Sequence, residues 1–227
     1  MLHWTILENS EAIAHAAAER ISQIAQQAIA ERGRFSLVLA GGGTPAAAYA
    51  RLATIKADWQ RWHIYFGDER CLPIDHPERN SRMAAETLLS KVPIPADQIH
   101  PIPAELGAER GAELYGKTIH NALPFDLVLL GIGEDGHTAS LFPDHGESAA
   151  TAVIAIHQAP KPPADRISLS SETLSNCRQL IYLVSGGGKQ SAVRRWIEGE
   201  PLPVSRIHAQ EESEVLIDQD AMPANTP

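Results

Sequence analysis

Cysteine is scarce: Cys71 and Cys177 are the only two in 227 residues. That is too few for a disulfide framework or a structural zinc site. No apolar run approaches the length needed to cross a bilayer, so a membrane-spanning protein is not expected. The opening MLHWTILENSEAIA has no basic segment followed by an apolar one, and no secretion signal is read there. Positive charge is also in deficit, with 19 Lys and Arg against 28 Asp and Glu, for a formal charge of −9. This argues against nucleic acid or an anionic membrane as the main partner, while leaving room for a local basic pocket that takes a phosphorylated small molecule. No Pro/Gly/Ser linker divides the chain, and no internal repeat or low-complexity stretch is visible. A soluble cytoplasmic protein of one domain, residues 1–227, is the expectation. Oligomeric state is left open, and a monomer is compatible with the composition.

Several chemical signatures are missing too. There is no Gly-x-Ser-x-Gly elbow, so a nucleophilic serine is not suggested. Ser185-Gly186-Gly187-Gly188-Lys189 is not a Walker A loop: Leu183 stands where its first glycine belongs, and Gln190 replaces the Ser or Thr that would hold magnesium. Gly131-Ile132-Gly133-Glu134-Asp135-Gly136 is formally G-x-G-x-x-G, but Pro143 follows too soon for a full helix. The residues near Val153, where an acid would be needed, are apolar. A dinucleotide site is rejected on both counts. His76 and His145 lack ligand spacing for a metal.

What is present centres on DLVLLGIGEDGHTASLFP, residues 126–143. Its unbroken Val/Leu run predicts a strand buried on both faces, ending in a glycine loop that carries Glu134, Asp135 and His137. The same order, apolar strand, glycine-rich turn, helix, recurs along the chain. Trp4–Leu7 reads as an edge strand, followed by a helix capped at Asn9 or Ser10 and running to about Arg32, with Gly33 as its stop. Ser36–Ala40 is a strand leading into Gly41-Gly42-Gly43-Thr44-Pro45 and a helix over 46–54, with Thr44 as N-cap. His63–Phe66 is a strand ending in Gly67-Asp68-Glu69-Arg70. Residues 71–78 must be loop, 80–89 look helical, and 105–121 form a helix weakened by three glycines. Strands are predicted over 152–156, 166–170 and 178–184, and a helix to about Ile197. A short strand at 215–217 precedes a fraying tail. The fold class is therefore α/β, a mainly parallel Rossmann-like sheet with helices on both faces.

In such a sheet the turns at the carboxyl ends of strands converge on one edge. Glycines at 41–43 let backbone approach an anion, and the helix that follows points free N–H groups and a positive dipole end at it. Without a ligand the same residues are only a tight strand-to-helix turn. Among ten histidines, His137 is singled out because it leaves a glycine turn two residues after Asp135, which suits a general acid or base. Asp68, Glu69 and Arg70 would point to the same edge, unless they are an ordinary solvated cluster.

Taken together, GGGTP at 41–45, GDER at 67–70, HPERNS at 76–81, GIGEDGHTASLFP at 131–143, RISLS at 166–170 and SGGGK at 185–189 resemble the 6-phosphogluconolactonase family. That family shares a fold with glucosamine-6-phosphate deaminase. The deaminase branch carries an acid where this chain has Phe142 and an aromatic residue in place of Arg70, so both departures favour the lactonase. Ribose-phosphate isomerases and CoA transferases resemble the chain at fold level only. The resemblance implies hydrolysis of 6-phospho-D-glucono-1,5-lactone, with neither metal nor cofactor required. It implies His137 as the base, Asp135 or Asp68 orienting it, and Arg70 with glycine-turn N–H groups facing the oxyanion. Arg166 and Lys189 with Gly42, Gly43 and Thr44 would hold the phosphate. A non-enzymatic sugar-phosphate sensor is the alternative, and a complete set of catalytic positions weighs against it.

Overall fold

The computed structural model describes residues 2–145 and 151–224. Strand β1 (Leu2–Leu7) leads into a helix whose ends are chemically marked. The Asn9 side chain accepts the Ala12 N–H at 3.0 Å, and Gly33 closes the helix at φ 75°, so α1 spans Ser10–Arg32. Strand β2 (Phe35–Leu39) is wholly buried. Helix α2 (Gly43–Leu52) starts earlier than expected, with Gly42 rather than Thr44 as the N-cap and no side-chain cap bond. Gly42 takes φ 111°, a value open to glycine and strained for any other residue, and this lets the helix begin directly behind the turn. Strand β3 (Trp62–Phe66) is followed after Gly67 by the short β4 (Asp68–Arg70). Helix α3 (Asn80–Ala84) widens into a π-turn over Ala85–Leu89. Helix α4 (Ala108–Ile119) begins only after Gly107, whose φ of 90° breaks the run expected from Glu105.

Strand β5 (Phe125–Leu130) is the buried central strand. Beyond it come β6 (Val153–Ile156), β7 (Arg166–Leu169), α5 (Ser171–Ser175), β8 (Cys177–Val184), α6 (Gln190–Ile197) and β9 (Glu212–Asp218). Among the described residues the main sheet has six strands in the order β1-β9-β8-β5-β2-β3, every pair parallel. Its chain order runs outward from β1 through β2 to β3, then back through β5 and β8 to β9. Right-handed crossovers therefore put α1 and α2 on one face and α4 and α6 on the other. On the first face α1 packs against α2, and on the second Trp196 of α6 meets Trp4 and Tyr182.

Two further outcomes differ from the sequence reading. Strands β6 and β7 do not join the parallel sheet; with β4 they form a separate antiparallel one, order β4-β7-β6. The expected tail strand is longer than 215–217 and lies inside the sheet, between β1 and β8.

Polar locks fix the strands that carry the site. At the amino end of β5, the buried Asp126 carboxylate accepts from Ser36 N at 2.8 Å, Ser36 Oγ at 2.9 Å and Arg32 Nε at 3.0 Å. At the carboxyl end of β3, the fully buried Tyr115 hydroxyl accepts from Phe66 N (2.8 Å) and donates to Phe66 O (3.1 Å). Tyr115→Phe leaves both backbone groups without that partner. A loss of about 1–3 kcal/mol is expected in urea unfolding; an unchanged midpoint would contradict the lock.

Candidate active site

Where β2, β3, β5 and β8 end, their turns enclose a cavity of ≈ 410 Å³. It sits over the β2/β5 boundary, where the direction of chain progression reverses and an open α/β sheet leaves a crevice. Gly42, Gly43, Thr44, Asp68, Arg70, His137, Arg166 and Lys189 all line it. Asp135 stands behind His137 instead of facing the cavity. Its Oδ1 is 2.5 Å from His137 Nδ1 and also accepts the His137 N–H at 3.3 Å. With Nδ1 engaged, Nε2 is the ring nitrogen left for the cavity.

The turn is shaped for this pair. A Cβ on Gly133 would lie 2.0 Å from His137 Nδ1 and 2.6 Å from Asp135 Oδ1, so only glycine leaves the contact room. Gly133 N donates to His137 O and Gly136 N to Gly133 O, so these N–H groups serve the turn itself. Phe142, 3% exposed, packs against the His137 ring at 4.8 Å, while Arg166 Cζ lies 5.5 Å from the centre of its ring. Burial lowers the His137 pKa below that of an ordinary imidazole, against the opposing hydrogen bond from Asp135; Lys161 lowers it further and Asp68 raises it. Burial alone would raise the Asp135 carboxyl, but the hydrogen bond and charge of His137 outweigh it and hold the pKa down.

The alternation of strand β4 separates residues that look equivalent in sequence. Asp68 faces the cavity, where its carboxylate accepts from Asn80 Nδ2 at 2.9 Å and Ser140 Oγ at 2.6 Å. It makes no hydrogen bond to His137 among the described residues; Asp135 holds that contact. Glu69 turns inward and is fully buried, accepting from Asn80 N (2.7 Å), Ser81 N (2.8 Å) and Arg70 N (2.9 Å). Arg79, 1% exposed, brings Nε to 3.4 Å from Glu69, a charge contact without hydrogen-bond alignment. Its Nη atoms donate to Glu105, Leu72 O and Ile102 O. Arg70 donates to the Glu78 carbonyl, and its Nε has no hydrogen-bond partner among the described residues.

The two glycine turns differ. In α2 the first-turn N–H groups have no intrahelical acceptor and open into the cavity. At SGGGK, Gly186 N and Ser185 Oγ donate to the Asp218 carboxylate, so a side chain of β9 already fills that turn. Lys189 still reaches the cavity; its pKa is lowered by burial, with Glu134 opposing. Arg166 is nearly buried, and burial lowers its pKa as well. Two polar cavity residues, Asn80 and Lys161, and the buried Ser140 that bonds Asp68 had no role in the sequence reading. Asn80 lay inside a quoted motif without a chemical signal, Lys161 read as the lead-in to a proline pair, and Ser140 as loop. Cys71, beside the cavity, is not a reactive thiol: burial and the nearby Asp165 push its pKa up to about 11. Alkylation by iodoacetamide at pH 8 should be far slower than for free cysteine; equal rates would refute this.

An imidazole–carboxylate pair and several cations at the carboxyl edge of an open parallel sheet mark an α/β enzyme. The chain belongs to the glucosamine-6-phosphate isomerase/6-phosphogluconolactonase family, whose model matches residues 8–217. It is 34% identical to the 6-phosphogluconolactonase of Synechocystis over 95% of both chains. The crystal structure of 6-phosphogluconolactonase from Thermotoga maritima superimposes with a TM-score of 0.91 at 28% identity, covering 96% of this chain and all of that one. A monomeric glucosamine-6-phosphate deaminase shares the fold, with a TM-score of 0.85 at 22% identity over 96% of this chain and 98% of its own.

Proposed function

We propose that the chain hydrolyses 6-phospho-D-glucono-1,5-lactone to 6-phosphogluconate, a step of the oxidative pentose phosphate pathway, by general-base activation of water. The observation that carries this reading is the His137–Asp135 pair, held at 2.5 Å with Nε2 toward a cavity lined by cations. A lactone carbonyl is already electrophilic and its leaving oxygen is tethered, so neither a covalent nucleophile nor a metal ion is called for. His137 Nε2 takes a proton from water as its oxygen bonds to C1. The resulting oxyanion faces Arg70. When the C1–ring oxygen bond breaks, the imidazolium returns its proton to that oxygen. Asp135 fixes the ring and supports its transient charge. Asp68, held by Asn80 and Ser140, is placed to accept from a sugar hydroxyl. Lys189, Arg166 and the Gly42-Gly43-Thr44 cradle serve the phosphate end, and binding there positions C1.

The test is acid release from lactone made in situ from glucose 6-phosphate, at mildly acidic pH, alongside ammonia release from glucosamine 6-phosphate. Acceleration of the first alone supports the lactonase. Ammonia release would move the chain to the deaminase branch, and silence in both would leave a sugar-phosphate sensor.

A further inference from the structure

We infer that Lys161 binds the substrate phosphate and that Arg166 serves chiefly as the strut that carries Lys161, an assignment that rests on the phosphosugar reading above. The strut is visible in the hydrogen bonds. Arg166 Nε donates to Pro163 O at 3.1 Å, and its Nη2 donates to Lys161 O at 3.0 Å and Pro162 O at 2.9 Å. Of the five N–H donors of a guanidinium, three are thereby spent on the carbonyls of three successive residues. Only Nη1 remains, and it lies 3.5 Å from Ser140 Oγ. A guanidinium so engaged is matched to its own backbone, leaving one corner for an anion.

What it holds is the strap between β6 and β7. That strap is closed by Ala159 N donating to Ala164 O at 2.9 Å. His157 pins its foot between Glu109, at 2.8 Å, and Asp165, at 2.9 Å. At its crest Lys161 lines the cavity, and its ammonium has no hydrogen bond or ion pair among the described residues. Lys161 is close enough to lower the pKa of both His137 and Lys189. Two ammonium groups that repel across a cavity are both stabilised by an anion between them, and a phosphate dianion matches their combined charge.

The experiment measures 6-phosphogluconate binding to the intact protein by calorimetry at fixed ionic strength, with gluconate as the control without phosphate. Lys161→Ala should weaken 6-phosphogluconate by about 10- to 100-fold, the range for a lost charged hydrogen bond, and leave gluconate unchanged. Lys161→Arg, which keeps the charge, should recover most of the loss. Arg166→Ala should cost about as much as Lys161→Ala, and in the Lys161→Ala background should add less than about threefold, because the two act as one unit. A second readout is the acidic limb of kcat/KM. The charged groups around His137 are Asp135 from its own turn, Asp68 from β4 and Lys161 from the strap, so removing Lys161 should move the limb to higher pH. Wild-type affinity in Lys161→Ala would overturn the Lys161 assignment, and multiplying effects of the two substitutions would overturn the strut. Should Arg166→Ala not fold, the Lys161 variants with the gluconate control still decide the first half. Absence of lactone hydrolysis by the wild type would instead sink the underlying reading.

Discussion

His137→Ala is expected to lower kcat by about 10²–10⁴, the usual contribution of a positioned general base, with KM changed little. Lys161 and Lys189 line the same cavity as separate side chains, so removal of the imidazole leaves them in place. The pH profile carries a second signature. Burial lowers the His137 pKa, opposed by the Asp135 hydrogen bond, and only the neutral ring accepts a proton from water. Enzymatic kcat/KM should therefore rise with pH through a midpoint below that of an ordinary imidazole and then stay level. Stopped-flow or NMR assays corrected for spontaneous hydrolysis would measure both. A variant with unchanged turnover removes His137 from the mechanism.

The second large effect is on stability. Arg79→Ala should cost about 3–5 kcal/mol, because it leaves the fully buried Glu69 carboxylate without its cation. At roughly 2–4 °C per kcal/mol for a chain of this size, the fall in Tm is easily resolved. Activity should fall with it. Glu69 accepts from the backbone of Asn80 and Ser81, and Asn80 holds Asp68, so the pair anchors one wall of the cavity. Glu69→Gln in the Arg79→Ala background should cost less than Arg79→Ala alone, because no uncompensated buried charge remains while the amide oxygen still accepts from the Asn80 and Ser81 backbone. Chemical denaturation of the two variants tests this; equal losses in single and double variants would place the cost elsewhere.

Strand–turn–helix periodicity made most of the parallel sheet legible, because its strands are buried on both faces and read as unbroken apolar runs. The caps of α1 were equally plain, since Asn9 and Gly33 each do what their chemistry favours. Strand β4 was not legible: three residues reading Asp-Glu-Arg give no apolar pattern, and taken as a turn they put Asp68 and Glu69 on the same side. Recognised as a strand, the period of two separates them at once. Lys161 was hidden for a different cause. Its position depends on a guanidinium five residues later folding back on the strap, and no local pattern encodes that. In SGGGK, the glycines were visible but the carboxylate that fills their turn comes from Asp218, far along the chain.

That last strand bears on how the molecule is made. Among the described residues strand β1 pairs with β9 alone, Leu2 opposite Ser213 and Leu7 opposite Asp218. Of the strands in this sheet, the earliest made thus waits for the latest, while β8 keeps an open edge able to recruit strands from other chains. Closure between such distant segments is slow, since the loop entropy is lost before the contact rewards it. Deleting residues 212–224 would therefore do more than remove one strand. It would strand β1 without its partner and leave the nascent half-sheet dependent on whatever protects exposed edges in the cell.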